Sequence, residues 1–121
     1  MDRFSTAFVG AGNMAVSIIG GMVRAGFPAE DMAASAKTGR HFEALRTLGI
    51  KQLSTDSRTI VADADVVVLA VKPQVLQEAC LQIMPLLRAG QLLLSVAAGV
   101  EAASIAAWAG PAPSLVRCVP N

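Results

Sequence analysis

The sequence predicts an α/β domain built on a doubly wound parallel β-sheet, and three observations lead to that prediction. Short apolar runs alternate along the chain with longer segments whose apolar residues recur at helical spacing. Residues 65–71 (Asp-Val-Val-Val-Leu-Ala-Val) are rich in β-branched residues, which is typical of a strand covered by helices on both faces. A glycine-rich turn joins the first apolar run to a helical segment, as expected of a parallel β/α unit.

Six strands and five helices are expected in strict alternation within one domain that spans residues 1–121. The strands are expected at residues 4–9, 32–36, 50–53, 65–71, 91–96 and 114–119. The helices are expected at residues 13–25, 39–48, 56–62, 74–88 and 101–109. Gly26 and Gly49 are suited to end the first two helices, and Thr55 or Asp56 is suited to cap the third.

The composition excludes several classes of protein. Ten basic and nine acidic residues give a formal net charge of +1, so neither nucleic acid nor an anionic membrane is an expected partner. The hydrophobic fraction of 54% is too high for a disordered chain. Cys80 and Cys118 have no metal-ligand spacing, so neither a disulfide framework nor a metal site is expected, and Cys80 is assigned to the core. A reducing cytoplasm is the expected location.

One uncharged segment, residues 4–23 between Arg3 and Arg24, has the length of a membrane span. Glycines and polar residues interrupt it, whereas a spanning helix is predominantly apolar and a signal peptide needs an unbroken apolar stretch. Neither a membrane helix nor a signal peptide is therefore expected.

The first predicted strand runs into residues 10–15 (Gly-Ala-Gly-Asn-Met-Ala) and then directly into a helix. In a dinucleotide-binding turn, Gly10 would permit the tight bend, Gly12 would let the backbone approach a pyrophosphate, and Ala15 would let the helix pack on the strand. The pyrophosphate would lie on the free amides at the helix N-terminus. The alternative is a glycine-rich surface turn, but the position at the start of a β/α chain favours nucleotide binding.

The second predicted strand bears on the choice of nucleotide. An NAD-binding domain holds the ribose diol with an acid at the end of this strand, but Glu30 and Asp31 lie at its beginning. Ser35, Lys37 and Arg40 lie at its end, and a hydroxyl with two cations suits the 2′-phosphate of NADPH. The alternative is a solvated basic loop.

Four segments together resemble one family, pyrroline-5-carboxylate reductase. They are residues 8–15 (Phe-Val-Gly-Ala-Gly-Asn-Met-Ala), 69–73 (Leu-Ala-Val-Lys-Pro), 95–100 (Ser-Val-Ala-Ala-Gly-Val) and 116–121 (Val-Arg-Cys-Val-Pro-Asn). Each lies at the carboxyl end of a predicted strand, and their order and spacing match the family along essentially the whole chain. The first segment alone would be unspecific, whereas the combination is highly specific.

The resemblance implies a Rossmann-type NAD(P)-binding domain of an oxidoreductase that reduces 1-pyrroline-5-carboxylate to L-proline in amino-acid biosynthesis. NADPH is the expected hydride donor, and NADH remains open. No catalytic side chain is assigned, because a protonated imine is already an electrophile, and Lys72 before Pro73 is interpreted as orienting a loop or contacting the cofactor. The expected cofactor-binding residues are Val9, Gly10, Ala11, Gly12, Asn13, Met14, Ser35, Lys37, Arg40, Ala70, Val71, Lys72, Pro73, Val96, Ala97, Ala98 and Asn121.

The sequence departs from the family at three places. Ala36 stands where some members have a serine that binds the 2′-phosphate, and Asp56 stands where some have an asparagine near the adenine ribose. A carboxylate at position 56 would repel a 2′-phosphate and could accept a ribose hydroxyl, so the cofactor preference stays open. The family's chain also continues beyond the motif that ends here at Asn121, through a helical domain that binds the substrate and forms the dimer.

The sequence is therefore interpreted as the cofactor-binding half of such a reductase, inactive by itself and forming a homo-oligomer through the domain absent here. Two alternatives remain. One is a stand-alone NADP(H)-binding module without catalysis, and the other is a small oxidoreductase such as a coenzyme F420-dependent NADP reductase. Residues 95–100 and 116–121 favour the pyrroline-5-carboxylate reductase interpretation over the F420-dependent reductase.

Overall fold

Strands and helices alternate throughout the computed structural model, which describes residues 3–96 and 99–117. The strands are β1 (Thr6–Val9), β2 (Met32–Ser35), β3 (Gln52–Ser54), β4 (Val66–Leu69), β5 (Leu92–Ser95) and β6 (Ser114–Arg117). The α-helices are α1 (Asn13–Arg24), α2 (Phe42–Thr47), α3 (Arg58–Val61), α4 (Pro73–Ile83) and α5 (Ala102–Ala109). Two short 3-10 helices, Ala29–Asp31 and Met84–Leu86, precede β2 and follow α4.

All five strand pairs are parallel, and the strands lie in the order β3-β2-β1-β4-β5-β6. The winding reverses after β3, so β1 and β4 are neighbours although two β/α units separate them in sequence. Open parallel sheets bind their ligands at the carboxyl ends of the strands beside such a reversal. The last residues of all six strands lie in one row across the sheet: Ser54, Ser35, Val9, Leu69, Ser95 and Arg117.

Helices cover both faces of the sheet, because side chains along each strand point alternately to opposite sides. On one side, Val9 packs in a cluster that includes Leu76 of α4 and Ile105 of α5. On the other side, Phe8 packs in a cluster that includes Ile19 of α1 and residues of α2. The prediction of a doubly wound parallel sheet is therefore confirmed.

A buried thiol, Cys80, and a buried amide side chain, Gln91, lie in or beside the core. Cys80 has no exposed surface, as the helical stripe predicts, and burial raises the pKa of its thiol to about 11. Gln91, which immediately precedes β5, is 2% exposed. Its Nε2 donates to the carbonyl oxygens of Val61 and Ala64 at 2.8 and 2.7 Å, and its Oε1 accepts the amide of Arg88 at 2.6 Å. Gln91 thus joins the start of β5 to the end of α3 and to the segment between α3 and β4.

Several predicted boundaries were wrong. The fourth helix was expected to reach residue 88, but α4 ends at Ile83 and a 3-10 helix containing Pro85 follows. Proline has no amide to donate and its ring clashes with the preceding turn, so it overrides the apolar stripe that continues to Leu87. The first strand begins at Thr6, and Phe4 instead packs edge-to-face on Phe27 with ring centroids 5.9 Å apart. The last two residues of the predicted sixth strand lie outside the described residues.

Within the described residues, no helix is long and apolar enough to cross a bilayer.

Replacing Gln91 with leucine should lower the free energy of unfolding by about 2 kcal/mol or more, because buried main-chain groups lose their partners. Urea denaturation of the variant measures this loss. The control is Gln77→Leu on the exposed side of α4, which should change stability by less than about 0.5 kcal/mol. Equal effects at the two positions would contradict the structural role of Gln91.

Candidate dinucleotide-binding site

A cleft of about 510 Å³ opens at the carboxyl edge of the sheet, where the loops after β1, β2, β3 and β4 meet. The predicted nucleotide crevice combined the glycine-rich turn with residues 70–73 and 96–99 at this edge. The turn and residues 70–72 line the cleft, whereas Val96 and Gly99 are not part of its lining and residues 97 and 98 lie outside the described part of the chain. The cleft also extends along one face of α4, from Val75 to Gln82.

Main-chain hydrogen bonds fix the glycine-rich turn between the ends of two neighbouring strands. The amide of Gly10 donates to the carbonyl oxygen of Ser35 at 2.9 Å, and the amide of Ala70 donates to that of Val9 at 2.8 Å. Gly10 has a φ of +104°, and a β-carbon there would lie 2.8 Å from both the carbonyl oxygen of Ala70 and Cγ1 of Val71. Backbone conformation and close packing both require glycine at this position.

Gly12 faces open space at the start of α1. It has extended backbone angles, and a β-carbon added to it would meet no atom within 4 Å. Among the described residues no side chain caps α1, and the first turn of α1 holds no acidic residue. The amides of that turn and the helix dipole therefore present a positive site, which can take an anion such as a pyrophosphate.

Four ionisable residues meet at the other end of the cleft, which we call the charged end: Lys37, Asp56, Arg58 and Glu78. Nζ of Lys37 lies 3.0 Å from Oε1 of Glu78. Arg58 contacts both carboxylate oxygens of Asp56, with Nε 3.0 Å from Oδ1 and Nη2 2.9 Å from Oδ2. Hydrogen bonds from the side chain and amide of Arg58 lower the pKa of Asp56. The two cations and two carboxylates sum to a formal charge of zero.

The loop after β4 forms the wall beside the glycine-rich turn. Lys72 has extended backbone angles and precedes α4, and Pro73 occupies the first position of that helix, where no amide is needed. The carbonyl oxygen of Lys72 accepts the amide of Val75 at 3.0 Å, and its side chain is exposed at the cleft. The interpretation of Lys72 as a loop-orienting or cofactor-contacting residue stays a prediction.

The structure brings together part of the predicted cofactor site. The predicted residues that line the cleft are Val9, Gly10, Gly12, Ser35, Lys37, Ala70, Val71 and Lys72. Ala11 and Val96 are 2% and 4% exposed and pack in the core beneath the cleft. Asn13, Met14, Pro73 and Arg40 are exposed outside its lining. Ala97, Ala98 and Asn121 lie outside the described residues.

Sequence reasoning assigned no role to Arg58 or Glu78, although both line the cleft. Glu78 belongs to a set at helical spacing, Val75, Glu78, Ala79 and Gln82, which forms the cleft-facing side of α4. This spacing could have identified Glu78 once α4 was taken to begin at Pro73. Arg58 lies two residues after Asp56, whose carboxylate accepts the Arg58 amide in an Asx-type turn, whereas the N-cap of α3 is Ser57 and neither Thr55 nor Asp56.

The described residues hold no cluster of three or more His, Cys, Asp or Glu side chains that could bind a metal ion.

A six-stranded parallel sheet in this order, with a glycine-rich turn that leads from β1 into a helix, defines a Rossmann-type NAD(P)-binding domain. A family model described as "NADP oxidoreductase coenzyme F420-dependent" matches residues 5–99. The chain belongs to this family.

Individual relatives confirm the resemblance to pyrroline-5-carboxylate reductase. The enzyme of that name from Pseudomonas aeruginosa is 43% identical over 115 residues, which cover 95% of this chain and 42% of the relative. The solved structure of a pyrroline-5-carboxylate reductase from Coxiella burnetii matches with a TM-score of 0.94 and 30% identity, covering 99% of this chain and 45% of that one.

A third comparison supports the fold alone. Pyrroline carboxylate reductase from Plasmodium falciparum, solved with NADP bound, matches with a TM-score of 0.85 and 21% identity, over 100% of this chain and 44% of that one. The chain thus spans less than half the length of each of these three proteins.

Replacing Gly10 with alanine should lower the free energy of unfolding by about 2 kcal/mol or more, because the φ of +104° at this position is unfavourable for a residue with a β-carbon. The new β-carbon would also press on the carbonyl of Ala70. The control is Gly21→Ala inside α1, where a β-carbon meets no atom within 4 Å, and this change should stabilise by about 0.5–1 kcal/mol. Chemical denaturation measures both, and a neutral Gly10→Ala would contradict the described turn.

Proposed function

We propose that this chain is the cofactor-binding domain of a pyrroline-5-carboxylate reductase, an NADPH-dependent enzyme of proline biosynthesis. The observation that carries the proposal is the combination of four family segments with relatives of that name over nearly the whole chain. The described parts of the first three segments lie at the carboxyl edge of the sheet, and the first two contribute to the lining of the cleft.

The cleft fits a dinucleotide in its chemistry and its shape. In the proposed arrangement, the pyrophosphate lies on Gly12 and the first amides of α1, where an open space and an uncapped helix N-terminus favour a phosphate. The adenosine lies toward the charged end, with Ser35 and Lys37 nearest its 2′-phosphate. The nicotinamide lies toward the loops after β4 and β5.

When bound, the cofactor supplies the hydride that reduces the C=N carbon of the substrate. The nitrogen becomes an amine, and the proton that made the imine cationic stays on it. The chain's own part is to position the nicotinamide by main-chain contacts and small side chains such as Ala70. No described side chain is required as the acid.

The relatives are more than twice as long as the region that matches this chain. We further propose that the part of the whole protein that corresponds to their remaining residues binds 1-pyrroline-5-carboxylate and forms a homo-oligomer. The site would work in the reducing cytoplasm, where a free buried thiol such as Cys80 is stable.

One observation favours a second candidate function. The family model that matches residues 5–99 carries the description of a coenzyme F420-dependent NADP oxidoreductase. A reductase that exchanges a hydride between F420 and NADP would use the same turn and cleft. The relatives at 43% and 30% identity favour the proline-forming enzyme.

The experiment that tests the proposed function measures the rate of NADPH oxidation, from the absorbance of the reduced nicotinamide, for this chain and for the natural gene product. We expect the chain to bind NADPH but to reduce 1-pyrroline-5-carboxylate far more slowly than roughly 1 per second, a rate typical of enzymes. The gene product should reach that rate with this substrate and should not reduce F420. Turnover of F420 instead would favour the second candidate, and binding without any turnover would favour a stand-alone NADP(H)-binding module.

Replacing Gly12 with valine should abolish NADPH binding while the fold remains, because the side chain would occupy the space of the pyrophosphate. Calorimetric titration measures the binding, and circular dichroism checks the fold. Gly21→Val is the matched control, since a β-carbon at position 21 also meets no atom within 4 Å but lies away from the cleft. Unchanged affinity of Gly12→Val would contradict the proposed position of the pyrophosphate.

A further inference from the structure

Lys37, one of the two cations predicted for the 2′-phosphate, already has a partner in this structure. Lys37 follows β2, Glu78 belongs to α4, and the 3.0 Å contact between them joins residues 41 positions apart. Both side chains line the cleft. Their ion pair therefore lies where a 2′-phosphate bound to Lys37 would have to enter.

The second cation at the charged end is held differently. Arg58 and Asp56 form a two-point contact within one short segment, and the carboxylate of Asp56 also accepts the amide of Arg58 at 3.1 Å. Glu78 contacts Lys37 through one oxygen only, from the opposite wall of the cleft. The side chains of Lys37 and Glu78 are 72% and 59% exposed, so their pair is weakly held and can be exchanged for a ligand.

We infer that Glu78 sets the selectivity between NADPH and NADH by competing with the adenosine 2′-phosphate for Lys37. This inference rests on the proposed binding of NADP(H) in the cleft. To bind the phosphate, Lys37 has to leave Glu78 or share its charge with a second anion. NADH carries a hydroxyl at that position and leaves the pair intact. Glu78 thus lowers the affinity for NADPH and brings the affinities for the two cofactors closer together.

The first test removes the charge of Glu78 and keeps its shape. In parallel calorimetric titrations, Glu78→Gln should bind NADPH roughly two- to fivefold more tightly, the range of one freed surface charge contact, and should bind NADH as tightly as the unchanged chain does. Glu30→Gln is the matched control, because Glu30 pairs with Arg3 at 3.2 Å away from the cleft, and the side chains of Glu30 and Arg3 are 72% and 59% exposed. It should alter neither affinity.

The second test asks whether Glu78 acts through Lys37. Lys37→Ala should weaken NADPH binding, and adding Glu78→Gln to that variant should change the affinity for NADPH by less than about twofold. An equal gain with and without Lys37 would overturn the competition, as would equal gains for NADPH and NADH in the single variant. If the unchanged chain bound neither dinucleotide, the proposed function would fail and this inference with it.

Discussion

Parallel, in-register pairing of β1 with both β2 and β4 is the constraint on which the site depends. Val9 lies opposite Ser35 on one side and Leu69 on the other, so the three strands end at one level of the sheet. The hydrogen bonds of Gly10 and Ala70 then continue the ladder one residue beyond the strands. Loops from distant parts of the sequence are thereby held at one edge by main-chain bonds, with little dependence on loop side chains.

This origin explains why small residues make up most of the cleft beside the turn. Because main-chain hydrogen bonds hold these loops in place, their side chains are not needed for positioning and can be small. The small residues that line the cleft are Gly10, Gly12, Ala36 and Ala70. Small side chains let a ligand approach the backbone amides closely, which suits a cofactor that carries its own reactive group. Ionisable side chains line the cleft only at the charged end, where the loops after β2 and β3 lie near α4. Lys72 beside the turn is the exception among the described residues.

The fold could be predicted from the sequence because its determinants are local. Helical spacing, β-branched runs and the turn at Gly10–Gly12 are each contained in a few residues. The pair Lys37–Glu78 could not be predicted in this way, since it depends on how α4 is rotated above a loop of another β/α unit. Gln91 reads as a polar residue at a strand end, and only the three-dimensional structure shows the three main-chain groups that it satisfies.

The same distinction applies to the cations near the second and third strands. Arg40 and Lys37 are close in sequence, yet Lys37 and Arg58 line the cleft and Arg40 does not. The charge of Asp56, the departure that would repel a 2′-phosphate, is offset by the two-point contact with Arg58, whose hydrogen bonds also lower the pKa of that carboxyl group. The proposed basis of cofactor choice therefore includes more than the missing acid at the end of β2. Each of the two cations at the charged end is paired with a carboxylate, and the pair of Lys37 with Glu78, held by a single contact, is the one that we infer to open for a 2′-phosphate.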